Sequence, residues 1–336
     1  MRRLSFPDPQ TEVLFGDVIP FHKKYKLDVW LPYVAIATVA AATIGILIWL
    51  VWFLIHHSYT VETHTIYVES AFTQEVEDVV PEDDGEDIVI EDSILGRLTI
   101  QKHYKLGRNP LRTLGIKRGE GGIVIPENDG RYTIEQGIDV SEWQGDIDWK
   151  KVRADDIDFA IIRCGFRGYR DGVVYTDSDF YKNIREAKAA GLSVGVYFYS
   201  QALGRDEGLE EAQYVLKILN GMPLDLPVFF DWEQAPESPA RTDNLPSTNL
   251  NNAAKMFLQT IRDGGYQAGL YSYKYLAYSE YELEDFAEYP FWLAEYDTRD
   301  FYYGYTFLQY TSKGRVNGIY GNVDRNLFIA PVKSEN

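Results

Sequence analysis

From Thr133 onward, apolar strand-like runs alternate with amphipathic helical stretches, and this alternation restricts the fold of the 336-residue chain more than any other feature. The runs lie at Thr133–Val140, Phe159–Cys164, Ser193–Tyr199, Leu226–Asp231, Ala268–Tyr271, Pro290–Glu295, Tyr305–Tyr310 and near Gly321–Asn326. A first helix is expected from Asp177 or Ser178 to Gly191, with Phe180, Ile184 and Ala187 on one face. A second is expected from Arg205 to Leu219, with Leu209, Ala212, Leu216 and Leu219 inward and Gly221 past its end. A third is expected over Leu250–Arg262, with Ala254, Phe257, Leu258 and Ile261 inward, closed by Gly264 and Gly265. Such alternation predicts an α/β fold with a parallel sheet and crossover helices. The last three runs have short, weakly helical connections. About eight strands in roughly 200 residues predict a modified TIM-like barrel with its last helices reduced. We place this barrel domain at 133–332.

The chain before the barrel divides by charge and hydropathy. Tyr33 to Ile55 carry no charge, and the run is long enough to cross a bilayer as one helix. Trp30 and Tyr33 stand near one end and Trp49 and Trp52 toward the other, as interfacial anchors do. Arg2, Arg3, Lys23, Lys24 and Lys26 precede the run, and no Lys or Arg follows until Arg97. The positive-inside rule then predicts a cytoplasmic tail over 1–32, a transmembrane helix over 33–55 and an extracellular remainder. The expected location is the cell membrane, single-pass. The length and position of the run, without a small-x-small exit, disfavour a cleaved signal. Residues 56–94 are dense in acids and predict an extended extracellular linker. Residues 95–132 turn basic, with short runs around Leu98 and Ile123 that predict one or two strands. This stalk segment either packs on the next domain or touches anionic wall polymer or lipid headgroups.

Chemistry is concentrated in the acids. Leu226 to Glu233 read as a buried strand that ends in two carboxylates at i and i+2. Asp231 and Glu233 therefore point to the same side, roughly 7 Å apart along the backbone. Such a pair is costly in a core and useful where one acid holds a proton and the other stays charged. Asp139 ends the first strand and Asp324 lies in the last. A barrel brings first and last strands side by side, so Asp139 and Asp324 are expected to flank one site with the Asp231–Glu233 pair opposite. Each alone reads equally well as a turn or cap residue.

Other residue classes narrow the choice. All five histidines, His22, His56, His57, His64 and His103, precede the barrel. The barrel therefore has no Ser-His-Asp or Cys-His site and no His-bearing catalytic zinc site. It carries neither a P-loop nor a dinucleotide fingerprint. A net charge of −18 disfavours general nucleic-acid binding. The single cysteine, Cys164, sits in an apolar run and reads as a small buried residue. Acid-only catalysis remains, with no metal or cofactor implied.

The motif Gly137-Ile-Asp-Val-Ser-Glu-Trp-Gln-Gly-Asp-Ile-Asp-Trp149 resembles the opening of glycoside hydrolase family 25, the Chalaropsis-type lysozymes. The resemblance runs through Phe159–Arg163, Ala190–Tyr197, Leu226–Glu233, Gly265-Tyr266, Trp292–Tyr296 and Gln309–Ser312 to Val323–Asn326, about residues 134–330. It implies an N-acetylmuramidase that cuts the β-1,4 bond between N-acetylmuramic acid and N-acetylglucosamine in peptidoglycan. It implies Glu233 as general acid/base with Asp231 beside it, and Asp139 and Asp324 completing an acidic floor. Tyr197, Tyr199, Tyr271, Trp292 and Gln309 are the expected substrate-binding side chains. The implied route uses the substrate's own N-acetyl oxygen, steadied by Asp231, an exception to the two-carboxylate scheme. Two departures touch no acid. Leu308 stands where the family often has Trp, with Phe307 as an alternative stacking face, and Tyr197-Phe198-Tyr199 replaces a Tyr-His-Phe-like stretch. Two other functions compete with the muramidase: a catalytically silent glycan-binding or scaffold protein, and a glucosaminidase.

Overall fold

The computed structural model describes residues 87–101, 104–112, 116–118, 124–126, 130–296 and 298–332. The tail, the uncharged run over 33–55 and most of the acidic segment lie outside these residues. Among the described residues no helix is long and apolar enough to cross a membrane.

Elements follow the chain as β1 (Asp87–Asp92), β2 (Gly96–Gln101), β3 (Ile116–Arg118), β4 (Val124–Pro126), β5 (Tyr132–Val140), α1 (Trp149–Ala154), β6 (Phe159–Arg167) and β7 (Val174–Thr176). Then come α2 (Phe180–Ala189), β8 (Ser193–Ser200), α3 (Arg205–Leu219), β9 (Val228–Trp232), α4 (Ser247–Asp263), β10 (Ala268–Tyr273), α5 (Lys274–Ser279), β11 (Phe291–Ala294), β12 (Phe307–Gly314) and β13 (Val323–Pro331). Strands β5, β6, β8, β9, β10, β11 and β12 pair in parallel in that order. β13 pairs antiparallel with both β12 and β5, and so closes an eight-stranded barrel. All eight expected runs are strands. Within the barrel the fully parallel expectation fails at β13, because the loop from Arg315 to Asn322 is too short for a crossover and reverses the chain; the short β7 also pairs antiparallel, with the end of β6. The later connections are reduced as expected, to the six-residue α5, a 3-10 turn over Leu283–Phe286, and no helix among the described residues between β11 and β12.

Period-two alternation sorts each strand into an inner and an outer face. Phe159, Phe229, Trp292, Phe307 and Phe328 point inward and fill the lower barrel. Their rings meet edge to face, with centroids 5.9 Å apart for Phe159–Phe307 and 5.1 Å for Phe229–Trp292, a favoured aromatic geometry. Gly137 makes room for this layer, since a Cβ there would lie 2.3 Å from the Phe159 ring. The alternate residues Ile138, Ala160, Ile162, Val196, Phe198, Val228, Phe230 and Leu270 face the helices and form the outer core.

Helix faces follow the expected periods with one rotation. Phe180, Ile184 and Ala187 are buried in α2, and Ala254, Phe257, Leu258 and Ile261 in α4. In α3 the buried stripe is Gly208, Glu211, Ala212, Val215, Ile218 and Leu219, while Leu209 and Leu216 are only half-buried. The apolar pattern misplaced this face because an acid, Glu211, sits on it. Arg167 Nε donates to Glu211 Oε1 at 2.6 Å and Ser200 Oγ donates to Glu211 Oε2 at 2.6 Å, which offsets the cost of burying that carboxyl. Cys164 is buried, as expected.

The segment before the barrel is more ordered than its charge predicted. The acidic linker was expected to run to residue 94, yet β1 pairs antiparallel with β2, Asp87 opposite Gln101 through Asp92 opposite Gly96. The basic segment supplies the partner strand, so backbone pairing overrides local like-charge repulsion. Residues that follow β2 lie against the barrel: Asn109 Nδ2 donates to Phe301 O at 2.9 Å, and Arg108 bridges Tyr303. Of the two roles open to the stalk, packing on the next domain is the one observed.

Candidate active site

The inward alternation that builds the aromatic layer continues upward into acids. On β9, Phe229 and Asp231 share the inner face, and Glu233 follows just past the strand end. On β5 and β13, Asp139 and Asp324 stand directly opposite each other. The four acids therefore converge at the carboxyl end of the barrel, where such folds place their working residues.

Hydrogen bonds fix the acids differently. Asp139 Oδ2 accepts from Gln309 Nε2 at 2.9 Å and from Asn326 Nδ2 at 2.8 Å. Trp292 Nε1 donates to Asn326 Oδ1 at 2.8 Å, which turns the Asn326 amide nitrogen toward Asp139. Tyr296 donates its hydroxyl to Gln309 Oε1 at 2.6 Å and orients that amide in the same sense. The Tyr271 hydroxyl is 3.3 Å from Gln309 Oε1 and also within bonding reach of the Glu233 carboxyl. Asp231 Oδ1, by contrast, is buried without a hydrogen-bond partner. An unpaired buried carboxylate oxygen costs free energy, so a site that keeps one is shaped to receive a donor.

Charge follows from burial. Asp139 is held well above the ordinary aspartate range by burial and then by Asp324, while the Asn326 and Gln309 amides act in the opposite sense. Asp231 is likewise held well above it by burial, then by Glu233 and Asp139, with the Arg163 charge opposing. Glu233 is raised by burial, against the Tyr271 hydrogen bond. Asp324 is raised to about 6 by burial. The general-acid role implied for Glu233 calls for a protonated Glu233 beside an ionised Asp231 in the working enzyme. Burial raises both carboxyls and their mutual repulsion adds to the rise of Asp231, so the two titrate as a pair.

The remaining expected side chains separate by depth. Tyr197 and Tyr199 lie on the inner face of β8 around the acids, half-buried. Tyr271 and Gln309 join the acid network directly. Trp292, expected at the substrate, is 1 % exposed and lies beneath the acids, edge-on to Tyr271 and Tyr197. Its depth removes it from sugar contact and makes it a support for Asn326. Phe307 is equally buried in the lower layer, and Leu308 faces the outer core. Neither offers a stacking face, so the Leu308 departure does not reach the site.

Sequence reasoning missed several participants. Arg163 is buried on β6, donating to Asp177 at 2.8 Å and to Glu142 at 3.0 Å, and it is the cation that opposes the rise of Asp231. Its signal was a lone Arg in an apolar strand. Gln201, fully buried, donates to the Glu233 backbone oxygen at 2.7 Å and accepts from Thr242 at 2.8 Å, tying β8 to the end of β9. Trp143 stands 80 % exposed on the 3-10 turn after Asp139, a turn closed by reciprocal Ser141 and Gln144 bonds. No group of His, Cys, Asp and Glu among the described residues is arranged to hold a metal.

Comparison with known proteins finds relatives along the barrel. A relative, lysozyme M1 of Streptomyces globisporus, is 31% identical over 206 residues, covering 57% of this chain and 67% of that protein. The autolytic lysozyme of Clostridium acetobutylicum is 26% identical over 195 residues, and the chain spans 55% of its length. Among solved structures, the modular autolysin LytC from Streptococcus pneumoniae shares the fold with a TM-score of 0.52 at 24% identity, over 73% of this chain and 57% of LytC. A family 25 glycosyl hydrolase from Bacillus anthracis does so with a TM-score of 0.50 at 24% identity, over 60% of this chain and 90% of that one. The model of glycosyl hydrolases family 25 matches residues 138–319, a span that opens one residue before Asp139 and contains both acids of the β9 pair. With more than half its length inside that match, the chain belongs to glycosyl hydrolase family 25.

Proposed function

We propose that this chain is a membrane-anchored muramidase that hydrolyses the β-1,4 bond between N-acetylmuramic acid and N-acetylglucosamine in bacterial peptidoglycan. The observation that carries the reading is the unpartnered Oδ1 of Asp231 beside Glu233 at the barrel mouth. A substrate with an acetamido group presents an N–H to that oxygen. As the acetamido oxygen attacks the sugar carbon, Glu233 gives its proton to the leaving oxygen and the glycosidic bond breaks. Positive charge then spreads onto the acetamido nitrogen, and an ionised Asp231 stabilises it at short range in a water-poor site. That developing charge favours ionisation of Asp231 in the loaded site, although burial raises its pKa in the free one. Water then attacks the same carbon, returning a proton to Glu233 and freeing the acetamido group. Asp139 and Asp324 hold the floor, and Trp143 and Tyr296 offer exposed aromatic faces for neighbouring sugars.

The anchoring part of the proposal rests on the uncharged run Tyr33–Ile55 and the charge asymmetry around it. It puts the barrel outside the cell, where peptidoglycan is.

Glu233→Gln keeps the shape and removes the transferable proton. Loss of a general acid lowers rate by on the order of 10²–10⁴. Turbidity of purified cell walls, with reducing-end analysis of the products, measures this. A Glu233→Gln protein that clears walls like the wild type removes Glu233 from the role. A wild type that binds walls without cutting them returns the chain to a glycan-binding module, and N-acetylglucosamine reducing ends would make it a glucosaminidase.

A further inference from the structure

The hairpin before the barrel reaches the rim of the site through one buried lysine. Lys274 follows β10 at the carboxyl end of the barrel, and its ammonium lies 2.7 Å from Asp92 of the hairpin. The same ammonium is 3.2 Å from Glu295, which follows β11, and 2.7 Å from Asp300. Lys274, Asp92 and Glu295 are all buried. A second link joins the same parts, since Ser93 N donates to Asp300 Oδ2 at 2.7 Å. Burial opposes a charged Lys274, yet its bonds to Asp300 and Asp92 and the charge of Glu295 hold its pKa above the ordinary lysine value. The lysine therefore stays charged, and the loss of one acid leaves a buried cation less well matched.

The far side of this cluster is the loop that carries Tyr296. Glu295 Oε1 accepts from Thr298 Oγ1 at 2.8 Å, Asp300 N at 3.0 Å and Phe301 N at 3.2 Å, folding the loop around one carboxylate oxygen. Glu295 N donates to Gln309 O at 3.0 Å. The next residue, Tyr296, bonds the Gln309 side chain that in turn holds Asp139. Contacts thus run without a break from a strand outside the family's matched span to an acid in the floor.

We propose that Asp92 is a positioning residue for the active site: through Lys274 and Glu295 it holds Tyr296 and residues 298–301 and so places Tyr296 and Gln309 against Asp139. The catalytic half of this statement rests on the muramidase reading above. Asp92 suits the task because its two oxygens divide the work. Oδ1 accepts from Ile94 N at 2.9 Å and Leu95 N at 2.8 Å and shapes the hairpin turn, leaving Oδ2 for the lysine. Asp92→Asn keeps the turn acceptor and removes the charge.

The test uses the full chain in detergent, with two readouts. Hydrogen exchange of the 295–301 segment reads the loop, and kcat and KM on soluble peptidoglycan fragments, well below the melting temperature of every variant, read the site. Asp92→Asn is expected to speed exchange at Asp300 and Phe301 and to lower kcat several-fold, up to about 100-fold, with KM little changed. Asp300→Ala, which removes the Ser93 link and one of the acids around Lys274 while leaving Lys274 on Asp92, is expected to loosen the same loop and serves if Asp92→Asn folds poorly. Lys105→Ala breaks an exposed pair between the same arm and Glu284 and should move neither readout. Unchanged exchange in Asp92→Asn and Asp300→Ala overturns the latch. Faster exchange with wild-type kcat overturns its catalytic role and leaves a purely structural contact. A wild type inactive on every fragment sinks the muramidase reading instead, and the exchange result still decides on the latch.

Discussion

Asp231 shows how much one residue's surroundings decide. Its position at i−2 to Glu233 was readable from spacing alone, because a strand alternates its faces. Its proton affinity was not, since beyond Glu233 that depends on burial and on Asp139 of β5 and Arg163 of β6, which meet it only in the folded barrel. The four acids all have folded pKa values above their unfolded ones. The folded chain therefore keeps protons that the unfolded chain releases. Stability from these groups is fully present below the unfolded carboxyl range, about 4, and is lost as pH rises through the folded values, about 6 for Asp324. We expect Asp231→Asn to lose less melting temperature than the wild type between about pH 4 and pH 7. Parallel melting curves for the two proteins would mean that Asp231 titrates as it does in a free peptide.

At the scale of elements, strands and helices were legible where apolar period and end signals agreed. Arg205–Leu219 came out with the expected bounds. Its buried face did not, because periodicity reads apolar residues and Glu211 is buried by pairing with Arg167 across the fold. Half of the β1–β2 hairpin was legible, since the run around Leu98 is β2; β1 was hidden because charge described it as a linker while its partner strand decided the structure. Close approach of α3 and α4 was equally hidden. A Cβ at Gly208 would lie 2.3 Å from the backbone oxygen of Ala253. Alanine usually improves a helix by about 1 kcal/mol over glycine. Here Gly208→Ala should instead destabilise by about 1–3 kcal/mol, because backbone cannot move aside as a side chain can. Chemical denaturation measures it, and a more stable variant would refute tight α3–α4 contact.

For the whole molecule, the acid constellation was legible because a barrel brings every strand end to one pole. The supports of that pole were not: Trp292 looked like a sugar platform until its depth was known, and Arg163, Gln201 and Tyr296 acquire roles only through partners distant in sequence. The proposed outward barrel makes a definite prediction for the intact cell. Protease added to protoplasts should digest the barrel and spare an epitope tag fused to the amino terminus. A protected barrel with a digested tag would reverse the orientation.

The antiparallel return of β13 has one more effect. Because Asp324 pairs with Asp139 at one pole, Pro331 pairs with Tyr132 at the other. The polypeptide thus leaves its last strand on the side remote from the acids. A bead, surface or fused reporter joined beyond Val332 sits behind the enzyme and leaves the opening free for a polymer as long as a glycan strand to slide across it.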